Sequence, residues 1–318
     1  MINLYRRLVR SQLTVNQLNN IHINLANRMT PLELEGLQSE LPTAPSVWQN
    51  LIYKSSRKLP FKLPESYCIW QQKIEYAKSA RDWIDMLHRA CLQSGKAAPE
   101  PFIRRRLRQV ALFSAGENRS GKILAICFAG NAQRMMMPMP VFLQHLDSSR
   151  VDVAFVKDPK RKGFRKGIDG IAPNLDILIK ELKSLLKTEE YLKVVTIGTS
   201  GGGLPAILTA VKLGLDAGMS VGGRGPDAPI WLTNDSKMAG ELLISYAKQS
   251  SAEPRLFLVY GNDKPKDKAK AEALADVVNA QLIPVSDPSG PVGHNALYPL
   301  VNQGKLTKFL EATVFDLT

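Results

Sequence analysis

The segment 193–208, KVVTIGTSGGGLPAIL, constrains the fold more than any other part of the chain. Its first half is a run of β-branched and apolar residues, the composition of a strand buried on both faces. Its second half is small and apolar, as in a buried helix. Between them, Gly198-Thr199-Ser200-Gly201-Gly202 leaves no length for an ordinary loop, so the strand must turn sharply into the helix. Such a turn forces the serine into a strained backbone conformation. Side chains beside it would collide where strand and helix cross, and glycine at 198 and 202 removes them. Ser200 then stands at a helix N-terminus, where backbone N–H groups face a developing anion.

From about residue 120 onward the same strand-then-helix alternation continues. Residues 122–130 (KILAICFAG), 151–156, 193–197, 217–222, 256–260 and 281–285 read as strands, and 140–146, 173–186, 204–213 and 268–279 as helices. Near-continuous apolar strands separated by helices predict an α/β domain over 119–318, with a mainly parallel sheet covered on both faces. Residues 1–118 lack this alternation. They predict a helical N-terminal extension or cap, with segments around 14–28, 31–40 and 66–94 broken by proline-rich stretches at 59–64 and 97–101.

Composition excludes several classes. The chain has 318 residues, 44% hydrophobic and 22% charged, which suits a soluble domain with a large core. No apolar run approaches the roughly 20 residues that span a bilayer. The start MINLYRRLVRSQLTV carries no apolar core and no cleavage site, so neither a signal peptide nor a transmembrane segment is expected. Cys68, Cys91 and Cys127 are odd in number and widely spaced, which fits no disulfide framework and leads to the cytoplasm as the expected location. The histidines show no metal-ligand spacing, and no cofactor is expected. Position 206 is alanine, so no dinucleotide fingerprint is completed, and no Lys-Ser/Thr follows the glycines as a phosphate-binding loop requires.

The net charge of +13 favours acidic partners. Arg104, Arg105, Arg106 and Arg108 have no interleaved aromatic residues, which argues against nucleic-acid recognition. The basic N-terminal region reads as a helical cap, as a module that docks on a protein partner, or as an appendage packed on the second domain.

A serine hydroxyl attacks a carbonyl only when a base can take its proton and an acid orients that base. Of His22, His88, His145 and His294, only His294 lies in a Gly/Pro-rich loop beyond the last strand, in SGPVGHNAL. The acid is read as Asp263, which closes the strand LFLVYGND, with Asp267 and Asp287 as alternatives and Asp235 a more distant one. The chain order is then serine, aspartate, histidine.

With Tyr260-Gly261-Asn262-Asp263 after a late strand and Gly293-His294-Asn295 before a terminal helix, residues 120–318 resemble the α/β-hydrolase superfamily. Residues 1–118 resemble no known family. The resemblance implies Ser200 as nucleophile, His294 as general base and Asp263 as its orienting carboxylate. It further implies an oxyanion hole from the Gly201 N–H and a second N–H in the loop after an early strand, at Asn131 or Ala132; Ala129-Gly130 stands where the superfamily usually has His-Gly. The implied activity is hydrolysis of an ester or thioester through an acyl-enzyme. The alternatives are acyl transfer by the same triad and a non-catalytic scaffold.

A small-molecule substrate is expected, and two features bear on its charge. The loop 157–166, KDPKRKGFRK, follows a strand at the sheet edge where α/β proteins bind ligands, so Arg161 and Arg165 are candidates to hold a substrate anion. Arg134 is a third. The run MMMPM at 135–139 reads either as an adaptable apolar wall or as plain packing.

Overall fold

The computed structural model of the protein describes residues 29–33, 101–232, 235–250 and 252–317. The chain divides into two compact units, one of Met1–Gln93 with Met139–Leu143, the other of Ser94–Pro138 with Gln144–Thr318. Of the helices expected before residue 119, 14–28 and 66–94 lie outside the described residues. Residues 31–33 are helical and begin at a capping box. The Glu33 N–H donates to Thr30 Oγ1 (3.1 Å), and the Thr30 N–H donates to a Glu33 carboxylate oxygen (3.0 Å).

The second unit is built on one eight-stranded sheet. In chain order the strands are β1 (Ile103–Leu107), β2 (Val110–Ser114), β3 (Ile123–Phe128), β4 (Val151–Val156), β5 (Lys193–Thr199), β6 (Ala217–Val221), β7 (Pro229–Trp231), β8 (Ser236–Met238), β9 (Arg255–Gly261) and β10 (Ala280–Val285). The sheet order is β1-β2-β4-β3-β5-β6-β9-β10, and β7 and β8 form a separate hairpin. From β4 to β10 every neighbouring pair is parallel; β1 and β2 are antiparallel additions at one edge. Among the described residues from 101 on, the helices are α1 (Met139–Leu143), which is grouped with the first unit, and in the second unit α2 (Leu175–Leu186), α3 (Gly203–Leu213), α4 (Ala239–Gln249), α5 (Pro265–Ala275), α6 (Leu297–Asn302) and α7 (Leu306–Leu310).

β3 and β4 are buried at every position, as strands covered on both faces must be. The core of the second unit joins their side chains to Leu178, Ile179 and Leu182 of α2 and to Leu204, Ile207 and Leu208 of α3. Cys127 is wholly buried there as a small core residue, and burial pushes its thiol pKa up. Of the run MMMPM, Met135 and Met137 are buried as well and Met136 is half-buried.

The sheet starts earlier than the sequence indicates. β1 and β2 fall within the residues read as a helical extension, and Arg104, Arg105 and Arg106 lie on an edge strand instead of around a helix. Charge on an edge strand keeps its unpaired backbone groups from joining another chain. Among the described residues, no helix is long and apolar enough to cross a membrane.

Candidate active site

β5 ends at Thr199, and a single 3₁₀ turn, Ser200–Gly202, carries the chain into α3. Ser200 has φ of 50°, a left-handed conformation that costs a side-chain-bearing residue about 1–3 kcal/mol. Its surroundings hold it there. A Cβ on Gly198 would collide with the Gly202 carbonyl, and one on Gly202 with the Phe128 carbonyl at the end of β3. The half-buried serine therefore projects from the C-terminal edge of the sheet at the head of a helix.

His294 reaches this edge from the loop between β10 and α6. Its Cε1 and Nδ1 lie 3.0 Å from the point where a Cβ of Gly222 would stand, so the imidazole rests on Gly222. Gly222 directly follows β6. Thr199 is paired with Val221, so Ser200 and Gly222 are the next residues along two adjacent parallel strands. Neighbouring strands are about 4.8 Å apart, and the ring is thus one strand away from the serine. Among the described residues no hydrogen bond joins Ser200 to His294. Catalytic hydrogen bonds often close only around substrate.

The carboxylate on His294 belongs to Asp267, whose Oδ2 is 2.5 Å from Nδ1. Asp267 is 5% exposed. Pro265 opens α5, which sets Asp267 in the first helical turn, where a carboxylate is favoured by the helix dipole. Asp263 is elsewhere: it is exposed, and its carboxylate accepts the Val292 N–H (2.8 Å), bracing the histidine loop. The expectation for Asp263 is therefore corrected to Asp267. Asp287 accepts from the Ser289 backbone and hydroxyl, which hold its carboxyl below the usual range, and Asp235 accepts from the Ser236 N–H.

The loop after β3 lies against the elbow through Asn131. Asn131 Oδ1 is 2.6 Å and its backbone nitrogen 3.8 Å from where a Gly201 Cβ would be. Ala132 is exposed. The Arg134 carbonyl accepts from Thr199 Oγ1 (3.3 Å) and from the Gly130 N–H (3.2 Å), which ties the loop to the end of β5. Asn295 donates from Nδ2 to the Met136 carbonyl (3.0 Å), tying it to the histidine loop. The asparagine of the Gly-His-Asn run is thus a brace that sequence reading left without a role.

The basic loop 157–166 is ordered by its one acid. Asp158 is buried, and its carboxylate accepts the N–H groups of Lys160 (3.0 Å), Lys162 (2.6 Å) and Phe164 (2.9 Å). Arg134 and Arg161 have exposed side chains, whereas Arg165 is half-buried. Among the described residues, no group of three or more His, Cys, Asp or Glu side chains is placed to hold a metal ion.

A mainly parallel sheet, a strained serine between β5 and α3, and a late histidine paired to an aspartate now stand together. The fold is α/β, a mainly parallel sheet with helices packed on it. No protein-family model matches the chain, and no curated protein does. Solved structures similar to it include dienelactone hydrolase from Anabaena variabilis, at 16% identity over 67% of this chain and 97% of that one, with a TM-score of 0.42. The enterobactin esterase FES from Shigella flexneri is 18% identical over 70% of this chain and 62% of its own, with a TM-score of 0.45. The S-formylglutathione hydrolase FrmB from Staphylococcus aureus is 10% identical over 66% and 97%, with a TM-score of 0.44.

Proposed function

We propose that the protein is a serine hydrolase that cleaves an ester or thioester bond in a small molecule through an acyl-enzyme. The observation that carries this reading is the Asp267–His294 pair seated on Gly222, one strand from a serine held at positive φ. A strained serine and a hydrogen-bonded acid–base pair at one sheet edge supply nucleophile, base and orienting acid in a single constellation.

His294 accepts the Ser200 proton at Nε2 as Oγ adds to the carbonyl. Asp267 fixes the tautomer through Nδ1–H and stabilises the imidazolium. The Gly201 N–H and the Asn131 N–H donate to the oxyanion. The imidazolium then protonates the leaving alcohol or thiol. A water molecule, deprotonated by His294, releases the acid and restores the serine. The reading as a cytoplasmic enzyme follows from the cysteine pattern.

Hydrolysis of 4-nitrophenyl valerate tests the proposal. Turnover that falls by about a thousandfold or more in Ser200→Ala supports it. Turnover unchanged in that variant, or absent in the parent protein across short acyl esters and thioesters, overturns it.

A further inference from the structure

The loop after β3, residues 129–138, carries Asn131, the second oxyanion donor in the mechanism above, and its backbone is strained at two places. Gln133 has φ of 59° and Met136 φ of 62°. Left-handed backbone at residues with long side chains persists only where the surroundings over-determine it. The acyl-transfer steps use neither residue.

Each strained residue is fixed by one side-chain hydrogen bond, and the two bonds come from either side of β3 in the sheet. On the β4 side, Gln133 Nε2 donates to the Asp158 carbonyl (2.7 Å). Asp158 is a firm anchor, since its buried carboxylate is held by three backbone N–H groups. On the other side, Asn295 Nδ2 donates to the Met136 carbonyl (3.0 Å), and Asn295 directly follows His294.

Between these staples the chain closes on itself. The Gln133 N–H donates to the Gly130 carbonyl (2.8 Å), and the Gly130 N–H donates to the Arg134 carbonyl (3.2 Å). Asn131 lies inside this turn, with Oδ1 against Gly201. One staple grips the turn itself and the other grips the chain just beyond it. Asn131, Ala132 and Arg134 are exposed, so packing alone does not hold the turn. A backbone donor stabilises a transient oxyanion only when it is aimed before the charge develops.

We propose that Gln133 and Asn295 are positioning residues: through the Asp158 and Met136 carbonyls they hold the loop so that the Asn131 N–H faces the oxyanion. Asn295 also couples this loop to the one that bears the base. This inference rests on the hydrolase reading above.

The test compares turnover of 4-nitrophenyl valerate with inhibition by 1,1,1-trifluoro-2-heptanone, using the full-length protein. Ser200 Oγ adds to the ketone carbon, the carbonyl π pair moves to oxygen, and the hydroxyl proton passes to His294 Nε2. The resulting hemiketal presents an oxyanion without a leaving group. Gln133→Ala and Asn295→Ala are each expected to lower kcat by about tenfold to a hundredfold, with KM within about threefold of the parent. The inhibition constant of the ketone rises by the same factor. Because both residues act on one loop, the double variant loses less than the product of the two single losses. Asn279→Ala, which breaks a bond to Glu253 (3.3 Å) at the opposite edge of the sheet, leaves both quantities at parent values. Where Gln133→Ala does not fold, Gln133→Gly takes its place, because glycine adopts positive φ without strain.

A kcat at the parent level in either folded variant, a loss carried by KM, or a fall in kcat with the inhibition constant unchanged overturns the positioning role and leaves the hydrolase reading standing. No cleavage of any ester by the parent protein overturns both.

Discussion

The two ends of one sheet treat charge and strain in opposite ways. At the end where strands begin, a buried carboxylate is paired. Asp152 of β4 is 1% exposed, and it accepts from Lys122 Nζ (3.1 Å) and the Tyr191 hydroxyl (3.1 Å), while Arg119 pairs with Glu190. Burial raises the Asp152 pKa, and the Lys122 ammonium works against that rise. At the end where strands finish, a serine is strained and a histidine–aspartate pair reaches the surface. The first end is organised for stability, and in the proposed function the second serves binding and chemistry. A rigid base lets the other end hold groups in positions they would not choose.

The largest expected effect separates the two aspartates at the reactive end. Asp267→Asn is expected to lower kcat by about 10³- to 10⁴-fold, because it disturbs the tautomer and leaves an imidazolium uncompensated. Asp263→Asn, which loosens a loop, is expected to stay within about tenfold. Steady-state kinetics on a neutral ester measures both. Equal losses would remove the distinction between orienting acid and loop brace.

Next comes the opposite end. Lys122→Met strands the buried Asp152 carboxylate and is expected to cost about 3–5 kcal/mol of stability, read by denaturant unfolding. The folded fraction should retain its kcat. A large loss of kcat at full folding would show that the two ends are not separable.

The smallest effect is a pH dependence. His145 is buried, its Nδ1 is 3.1 Å from Thr307 Oγ1, and its Nε2 has no partner among the described residues. Burial lowers its pKa to about 4. The unfolded chain therefore binds a proton on this side chain between pH 6.5 and about 4 that the folded chain does not. This contribution is complete above pH 6.5 and is lost as the pH falls toward 4. His145→Gln should flatten the dependence of stability on pH in that window. An unchanged slope would reassign it to other groups.

How much of this is legible in sequence also follows the division between buried and edge positions. β3 to β6, β9 and β10 show as apolar runs because parallel strands lie under helices. β1 does not, because an edge strand with arginines at 104, 105 and 106 has the composition of a basic helix face. The serine turn is readable because steric collision demands its glycines. The acid is not, since Asp263 and Asp267 both follow the same strand and only the start of α5 decides which carboxylate meets the histidine. Pro265, a residue suited to the first turn of a helix, was the available signal.

The central claim is that Ser200 is a nucleophile activated by His294 and Asp267. A fluorophosphonate reacts with such a serine in a single step, independent of the natural substrate. Digestion and mass spectrometry of the labelled protein should place one adduct on the peptide containing Ser200, absent in Ser200→Ala and formed at least a hundredfold more slowly in His294→Ala. Labelling at another residue, or at an unchanged rate in either variant, would contradict the account.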